Sequence, residues 1–335
     1  MKKISLLIAA IILTIAAFGC TGRQTDTMKK IRLNEVTHSI FYAPLYVALE
    51  KGYFKEYGLD IELTNGGGAD KSMTAILSGS ADIGLMGPEA AMYVYLNGKE
   101  NYPKIFAQLT KRDGSFLISR TREPDFDYTA LTGKEIIAGR KGGVPAMTLE
   151  YLLKQKGYED KKNITLNYDI QFNLTAAAFE GGTGDYCTLF EPTASEFERA
   201  NKGYVVAAIG KDSGEVPYTA FMALNSYIEN NEQTVKNFLR AVYKGIDFLK
   251  DATDEEIVLA LKGQFPSTDD DIIASAINRY KECDAWTENM TMEQQSFTRL
   301  KDIMTNAGEL ERDVPFEQLI NTNHSNIIYR EMFDK

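Results

Sequence analysis

From residue 31 onward the apolar positions alternate between two periods: near two in short runs and near 3.6 in longer ones. That pattern predicts β and α elements in series. Ile31–Val36 reads as a strand with apolar residues at alternate positions. Tyr42–Lys51 reads as a helix, with Leu45, Ala48 and Leu49 on one stripe and Gly52 as its stop. Leu59–Leu63 alternates as a half-buried strand, and Gly66-Gly67-Gly68 breaks the chain before a helix over Asp70–Ser78. Asp82–Met86 is a buried strand, Gly87-Pro88 opens a helix over Glu89–Leu96, and Ile105–Leu109 and Ser115–Ser119 are further strands.

A second unit begins near Thr121. It runs through strands at Glu135–Gly139, Ile164–Tyr168, Tyr186–Leu189 and Tyr204–Ile209, with helices over Ala146–Lys156, Leu174–Phe179 and Thr193–Ala200. After Gly214–Pro217 a strand is expected over Tyr218–Leu224. Helices follow at Glu232–Lys250, Asp254–Leu261, Asp269–Lys281 and Met292–Asn306. Alternating β/α units with short loops predict parallel or mixed sheets flanked by helices. Two crossings of the chain explain the order: residues 31–120 and 215–335 form domain I, and 121–214 form an inserted domain II. Ligands of such sheets bind beyond the carboxyl ends of strands, here in a cleft that a hinge can close.

Residues 1–20 are outside this pattern. Lys2 and Lys3 precede a nearly unbroken apolar run over 4–18, short for a spanning helix of ~20 residues and shaped like an export signal. Ala17-Phe18-Gly19-Cys20 resembles a bacterial lipobox, with Ala17 where leucine is usual, so Cys20 is the expected lipidation site. Residues 21–30 then read as a tether, and the protein as lipid-anchored on the outer face of the cell membrane.

Composition narrows the classes of function. In 335 residues, 37 Lys+Arg against 47 Asp+Glu give a formal charge of −10, which loss of Lys2 and Lys3 takes to −12. No basic surface for nucleic acid is expected. Three cysteines and two histidines are too few for a zinc ribbon, disulfide scaffold or iron–sulfur cluster, and no cofactor or metal is expected. Cys187 and Cys283 are either a disulfide or two buried thiols.

Several segments carry a resemblance. They are Ala43–Phe54 (APLYVALEKGYF), Gly58–Ile61, Leu77–Gly84 (LSGSADIG), Gly184-Asp185 with Phe190-Glu191-Pro192, and Val216–Ala220. In this order and spacing they resemble the solute-binding proteins of ABC importers, in the branch with nitrate, taurine, aliphatic-sulfonate and thiamine-pyrimidine binders. The resemblance spans about residues 30–225. It implies a periplasmic-binding fold of the second type, a small-molecule solute, permease partners in the membrane, a monomeric chain and no catalysis.

Candidate ligand groups lie where strands end. Thr37, His38 and Ser39, with Phe41 and Tyr42, follow the first strand; their hydroxyls either donate to a ligand or cap the next helix. Gly67 and Gly68 permit close backbone approach to a ligand, or simply make a turn. Gly87, Pro88 and Glu89 follow a buried strand, where Glu89 either accepts from an amine or favours the helix start electrostatically. Arg140 and Lys141 precede Gly142, Gly143 and a helix, an arrangement suited to a carboxylate, sulfonate or phosphate. Phe190 offers a face for a heterocycle and Glu191 a carboxylate for a ring amine, or the two serve the core and the hinge. Tyr93, Tyr95 and Phe116 carry less weight.

The leading expectation is a receptor that delivers a small organic solute, a sulfonate- or nitrate-like anion or a pyrimidine-like heterocycle, to an ABC permease. An enzyme on the same fold, acting on a pyrimidine precursor or a carbon–sulfur bond, is the alternative. Against it, no activated nucleophile or acid–base pair is visible. A sensor or adhesin subunit is a third reading.

Overall fold

The computed structural model describes residues 28–334. The expected signal, the lipidation site Cys20 and most of the expected tether lie outside the described residues. Among the described residues ten strands form two sheets of five. In the first, β1 (Lys29–Glu35) lies parallel between β2 (Leu59–Asn65) and β3 (Ile83–Met86). Beyond β3 lie β10 (Thr219–Leu224) and β4 (Pro103–Thr110), with β10 antiparallel to both neighbours. The second sheet has the order β7 (Thr165–Asn167), β6 (Glu135–Ile137), β8 (Tyr186–Leu189), β5 (Phe116–Ser119) and β9 (Tyr204–Ala208). There β5 is the antiparallel strand.

The two sheets are built alike: each takes its antiparallel strand from the segment that has just crossed from the other. The crossings run side by side, Val216 N–H donating to the Lys111 carbonyl at 2.9 Å and Tyr218 N–H to Thr110 at 3.2 Å. β5 therefore belongs to the second sheet, although the sequence reading starts the inserted unit only near residue 121. The chain has left the first sheet by residue 111.

Local chemistry explains the main helices. Pro44 sits in the first turn of the helix Ala43–Glu50, where its missing N–H costs nothing. That helix packs against Glu232–Asp251, and Gly245 makes the approach possible: a Cβ there would lie 2.0 Å from the Pro44 carbonyl oxygen. Thr253 and Glu256 form a capping box at the start of Asp254–Leu261. The helix Glu89–Leu96 and the strand β8 have the bounds expected from sequence.

Other expectations need correction. β1 begins at Lys29, inside the expected tether, because Lys29 and Lys30 pair with Leu59 and Asp60. Ile209 opens a short helix, Ile209–Ser213, rather than ending a strand. Asn225–Asn230, Phe316–Leu319 and Asn323–Phe333 are helices the sequence reading leaves unassigned. Cys187 and Cys283 are both buried free thiols, which removes the disulfide alternative.

The largest apolar cluster continues from the first sheet through Phe41, Tyr218 and Tyr280 to Phe116 and Leu189 of the second. The outer face of the second sheet has its own core around Leu117, Ile136, Leu149 and Leu166. The junction between the lobes is thus apolar on one flank and leaves a cleft on the other.

Candidate functional site

The cleft holds a cavity of about 230 Å³. Its first-lobe wall is Val36, Tyr42, the turn 67–71, Gly87 and Glu89, with Tyr218 and Thr219 from the return crossing. Its second-lobe wall is Gly139, Arg140, residues 143–146, Gln171, Phe172 and Phe190. Every contributing segment is a strand-to-helix loop, a helix start or a crossing, as expected for ligand sites of such sheets.

Eight of the residues singled out in the sequence meet here: Tyr42, Gly67, Gly68, Gly87, Glu89, Arg140, Gly143 and Phe190. Aromatic rings dominate the inner wall. Phe190 stands 5.8 Å from Phe41, 5.6 Å from Phe172 and 6.3 Å from Tyr218, centroid to centroid. These spacings are those of tilted and edge-on aromatic packing, and Phe172, Phe190 and Tyr218 of this group line the cavity.

Glu89 is the polar centre. It is 1% exposed, and its Oε1 accepts from the Val144 N–H at 3.1 Å. Val144 begins the twelve-residue helix Val144–Gln155 of the opposite lobe. Glu89 Oε2 has no hydrogen bond of normal geometry. Burial pushes the carboxyl up to about 7, against the Val144 N–H, the adjacent N–H groups of Glu89 and Ala90, and the Arg140 charge. Gly87 makes room for this side chain, since a Cβ there would lie 2.0 Å from Oε2.

The loop before Val144 therefore differs in use from the sequence expectation. Its helix start is taken by a carboxylate of the protein itself. Arg140 is exposed at the rim, and among the described residues it makes no side-chain hydrogen bond or ion pair. Gly142 is off the cavity wall. Its carbonyl accepts from the Tyr93 hydroxyl at 2.8 Å, a second bond between the lobes, and its φ of +74° suits glycine. Lys141 faces Glu309 at 4.0 Å.

The remaining candidates sit behind the cavity. Thr37 is half-buried and Pro88 buried, and neither lines it. Ser39 caps the 3₁₀ turn Ile40–Tyr42 by accepting from Phe41 N–H, and its hydroxyl donates to the Glu191 carbonyl. Glu191 is 1% exposed and turns its carboxylate away from the cleft, to Arg279 at 2.7 Å and to Ser195 N–H and Oγ at 2.9 Å. Burial raises its pKa despite these partners.

His38 stacks on Phe265 and places Nδ1 2.7 Å from Glu35 Oε1 and Nε2 3.0 Å from the Gln264 carbonyl. A carboxylate and a carbonyl only accept, so this geometry suits an imidazolium with both nitrogens protonated. Burial lowers the His38 pKa, but the bonds to Glu35 and Gln264 outweigh it and the net shift is upward. Both ring nitrogens are thus engaged with the protein, and His38 does not line the cavity.

Residues absent from the sequence-based set complete the wall. Gln171 and Phe172 sit at a 3₁₀ turn between β7 and its helix, where no periodic signal marks them. Tyr218 and Thr219 belong to the return crossing, which the sequence reading recognised as a segment but not as cleft wall. Asp70 and Lys71, one residue beyond the triple glycine, are exposed.

The family model described as NMT1/THI5 like matches residues 40–256. The chain is 42% identical over 94% of its length to the Bacillus subtilis protein YtlA, which its name describes as a binding protein, and covers 93% of it. It is 23% identical to the 4-amino-5-hydroxymethyl-2-methylpyrimidine phosphate synthase of Candida albicans, over 62% of this chain and 63% of that one. Among solved structures, the alkanesulfonate-binding protein SsuA from Xanthomonas axonopodis, bound to MOPS, superposes with a TM-score of 0.71 at 14% identity, over 87% of this chain and 98% of that one. The architecture is the two-lobed fold of periplasmic binding proteins.

Proposed function

The chain belongs to the NMT1/THI5-like family, and we propose that it is an extracytoplasmic solute-binding protein that captures one small organic molecule in the interlobe cleft and delivers it to an ABC permease. The observation that carries this reading is the cavity between the two sheets, walled by loops from both. Its size and aromatic lining suit a planar or short organic solute. Closure would present the permease with a surface that exists only when solute holds the lobes together, an equilibrium driven by differential affinity for the closed state.

The pairing of the crossings supports dividing the chain at residues 111–115 and 214–218 into a discontinuous first lobe and an inserted second lobe. The lipobox-like Cys20 supports a lipid anchor on the outer face of the membrane. Among the described residues no helix is long and apolar enough to cross a membrane. The net charge of −10 argues against nucleic acid as a partner, and a single chain supplies both walls of the site. Solutes of the two expected classes remain in view, an oxyanion such as a sulfonate or nitrate and a pyrimidine-like heterocycle.

A second reading, an enzyme on this fold, is favoured by the similarity to the Candida synthase. Against it, Cys187 and Cys283 are buried, burial raises both thiol pKa values, and neither lines the cavity, so neither is a ready nucleophile.

A thermal-shift screen over sulfonates, nitrate and pyrimidines, followed by small-angle scattering with the best ligand, tests the receptor reading. A ligand at 100 times its Kd adds about 2.7 kcal/mol of stability. The expected result is a melting shift with compaction. Unchanged dimensions with a tightly held ligand, or turnover of that ligand, would overturn it.

A further inference from the structure

We propose that Asp113 and Tyr218 form a hinge pair: their side chains bond to each other when the lobes part, which weighs against closure of an empty cleft and makes Tyr218 the residue through which solute offsets that cost. The inference rests on the reading of the cleft as a solute site and adds what holds that site open.

The two residues ride on different lobes. Asp113 lies at the second-lobe end of the first crossing. Its carbonyl packs on Gly210, where a Cβ would lie 2.1 Å from that oxygen, and the nearby Ser115 carbonyl accepts from Ile209 N–H at 3.1 Å. Tyr218 lies at the first-lobe end of the return crossing. Its N–H donates to the Thr110 carbonyl at 3.2 Å, and Thr219 beside it pairs with Thr110 in the first sheet. Rotation of one lobe against the other therefore moves the Asp113 carboxyl relative to the Tyr218 hydroxyl.

In this structure the lobes are engaged across the cleft: Val144 N–H donates to Glu89 and the Tyr93 hydroxyl donates to the Gly142 carbonyl. In that closed arrangement the hinge pair is unmet. Asp113 and Tyr218 are 2% and 3% exposed, and the hydroxyl faces the carboxyl. Asp113 Oδ1 accepts from Ser115 N–H at 2.7 Å, but neither Oδ2 nor the Tyr218 hydroxyl makes a hydrogen bond of normal geometry. A buried donor and a buried acceptor left facing each other are costly, and a change of hinge angle that aligns them recovers the cost. The closed form thus makes two bonds across the cleft and forgoes one at the hinge. Tyr218 also lines the cavity, its ring 6.3 Å from that of Phe190. A solute seated on that wall meets the same side chain that the hinge uses, which places differential affinity for the closed state in one residue.

Small-angle scattering and amide hydrogen exchange of the unliganded protein test this with Tyr218→Phe, which removes only the hydroxyl. The unmodified protein is expected to be more extended than the closed arrangement. The variant is expected to be more compact, its closed fraction raised about three- to tenfold, the scale of one hydrogen bond. Exchange at Val144, whose N–H Glu89 covers in the closed form, should slow. A merely structural role for the hydroxyl would quicken exchange there instead, because loss of stability opens the chain. The scattering profile of the unmodified protein keeps the inference falsifiable if the variant folds poorly, which its melting curve would reveal. An unmodified protein that already matches the closed arrangement, or a folded variant with unchanged dimensions or with unchanged or faster exchange at Val144, would each overturn the inference. All of these outcomes are read without solute. The receptor reading fails separately, when a bound solute leaves the dimensions of the unmodified protein unchanged.

Discussion

The Ser39 hydroxyl donates to the Glu191 carbonyl across the lobe junction at 2.5 Å. The same carbonyl accepts from Ile40 N–H at 3.2 Å, and Glu191 N–H donates to the Tyr280 hydroxyl, which donates on to the Gly114 carbonyl. The loop after β1, the loop after β8 and the first crossing are thereby joined through one short network on the closed side of the cleft. Two residues that the sequence singles out for ligand contact instead meet each other, behind the cavity.

Ser39→Ala should therefore act on stability. It removes the cap of the 3₁₀ turn and the bond to Glu191, while Ile40 N–H still holds that carbonyl. The expected loss is about 1–2 kcal/mol, read as a lower denaturation midpoint with an unchanged slope. Solute affinity should move much less. A midpoint equal to that of the unmodified protein would show that the network carries no weight.

The pH dependence of stability has a definite sign. Unfolded, the Glu89 carboxyl ionises near 4.5; folded and without solute, burial pushes it up to about 7. Between those values the folded chain holds the extra proton, so stability is fully present below about pH 4.5 and is lost as pH rises through 7. The single-group effect is about 3 kcal/mol. Asp113, a buried carboxyl in the first crossing that burial also pushes up to about 7, adds a parallel slope. The difference between the unmodified protein and Glu89→Gln isolates Glu89, and a difference that stays flat from pH 4 to 8 would refute the assignment. A cationic or N–H-donating solute stabilises the ionised form, so its binding near pH 7 should release protons, measurable by calorimetry in buffers of different ionisation enthalpy.

The strands and helices were legible in the sequence because each carries its own period. Leu59, Ile61 and Leu63 alternate along an edge strand, whereas β3 is buried on both faces and reads as a continuous apolar run. What resisted reading was partnership across the cleft. The helix start at Gly143-Val144 looks in sequence like a vacant anion site, and only the fold reveals that a carboxylate 55 positions earlier occupies it. Glu191 likewise reads as a ligand group until Arg279, 88 positions later, is seen to hold it. Gln171 and Phe172 left no trace because a 3₁₀ turn of three residues has no periodicity to detect.

The anchor is tested independently of the cleft. Cys20 is expected to carry lipid, so metabolic labelling with a radioactive or clickable fatty acid should tag the protein, and Cys20→Ala should abolish the tag. Equal labelling of the variant would remove the anchor while leaving the ligand site untouched.

Arg140→Ala separates the two solute classes. The guanidinium is exposed at the cavity rim, and its charge favours the ionised form of Glu89. If the solute were an anion held by that loop, removing the charge should weaken binding more than tenfold, the scale of a charge-assisted contact of about 1.5–3 kcal/mol. For a neutral heterocycle that the loop does not hold, Arg140 acts on the site only through the titration of the Glu89 carboxyl. Its loss should then raise the pH at which Glu89 ionises and leave the affinity for the best heterocycle of the thermal-shift screen above that pH within about threefold, since a solvated rim charge couples weakly. Titrations of this variant across pH 6–9 should thus show a displaced profile with an unchanged plateau. A plateau lowered more than tenfold would place Arg140 on the solute and return the loop before Val144 to the role its sequence suggests.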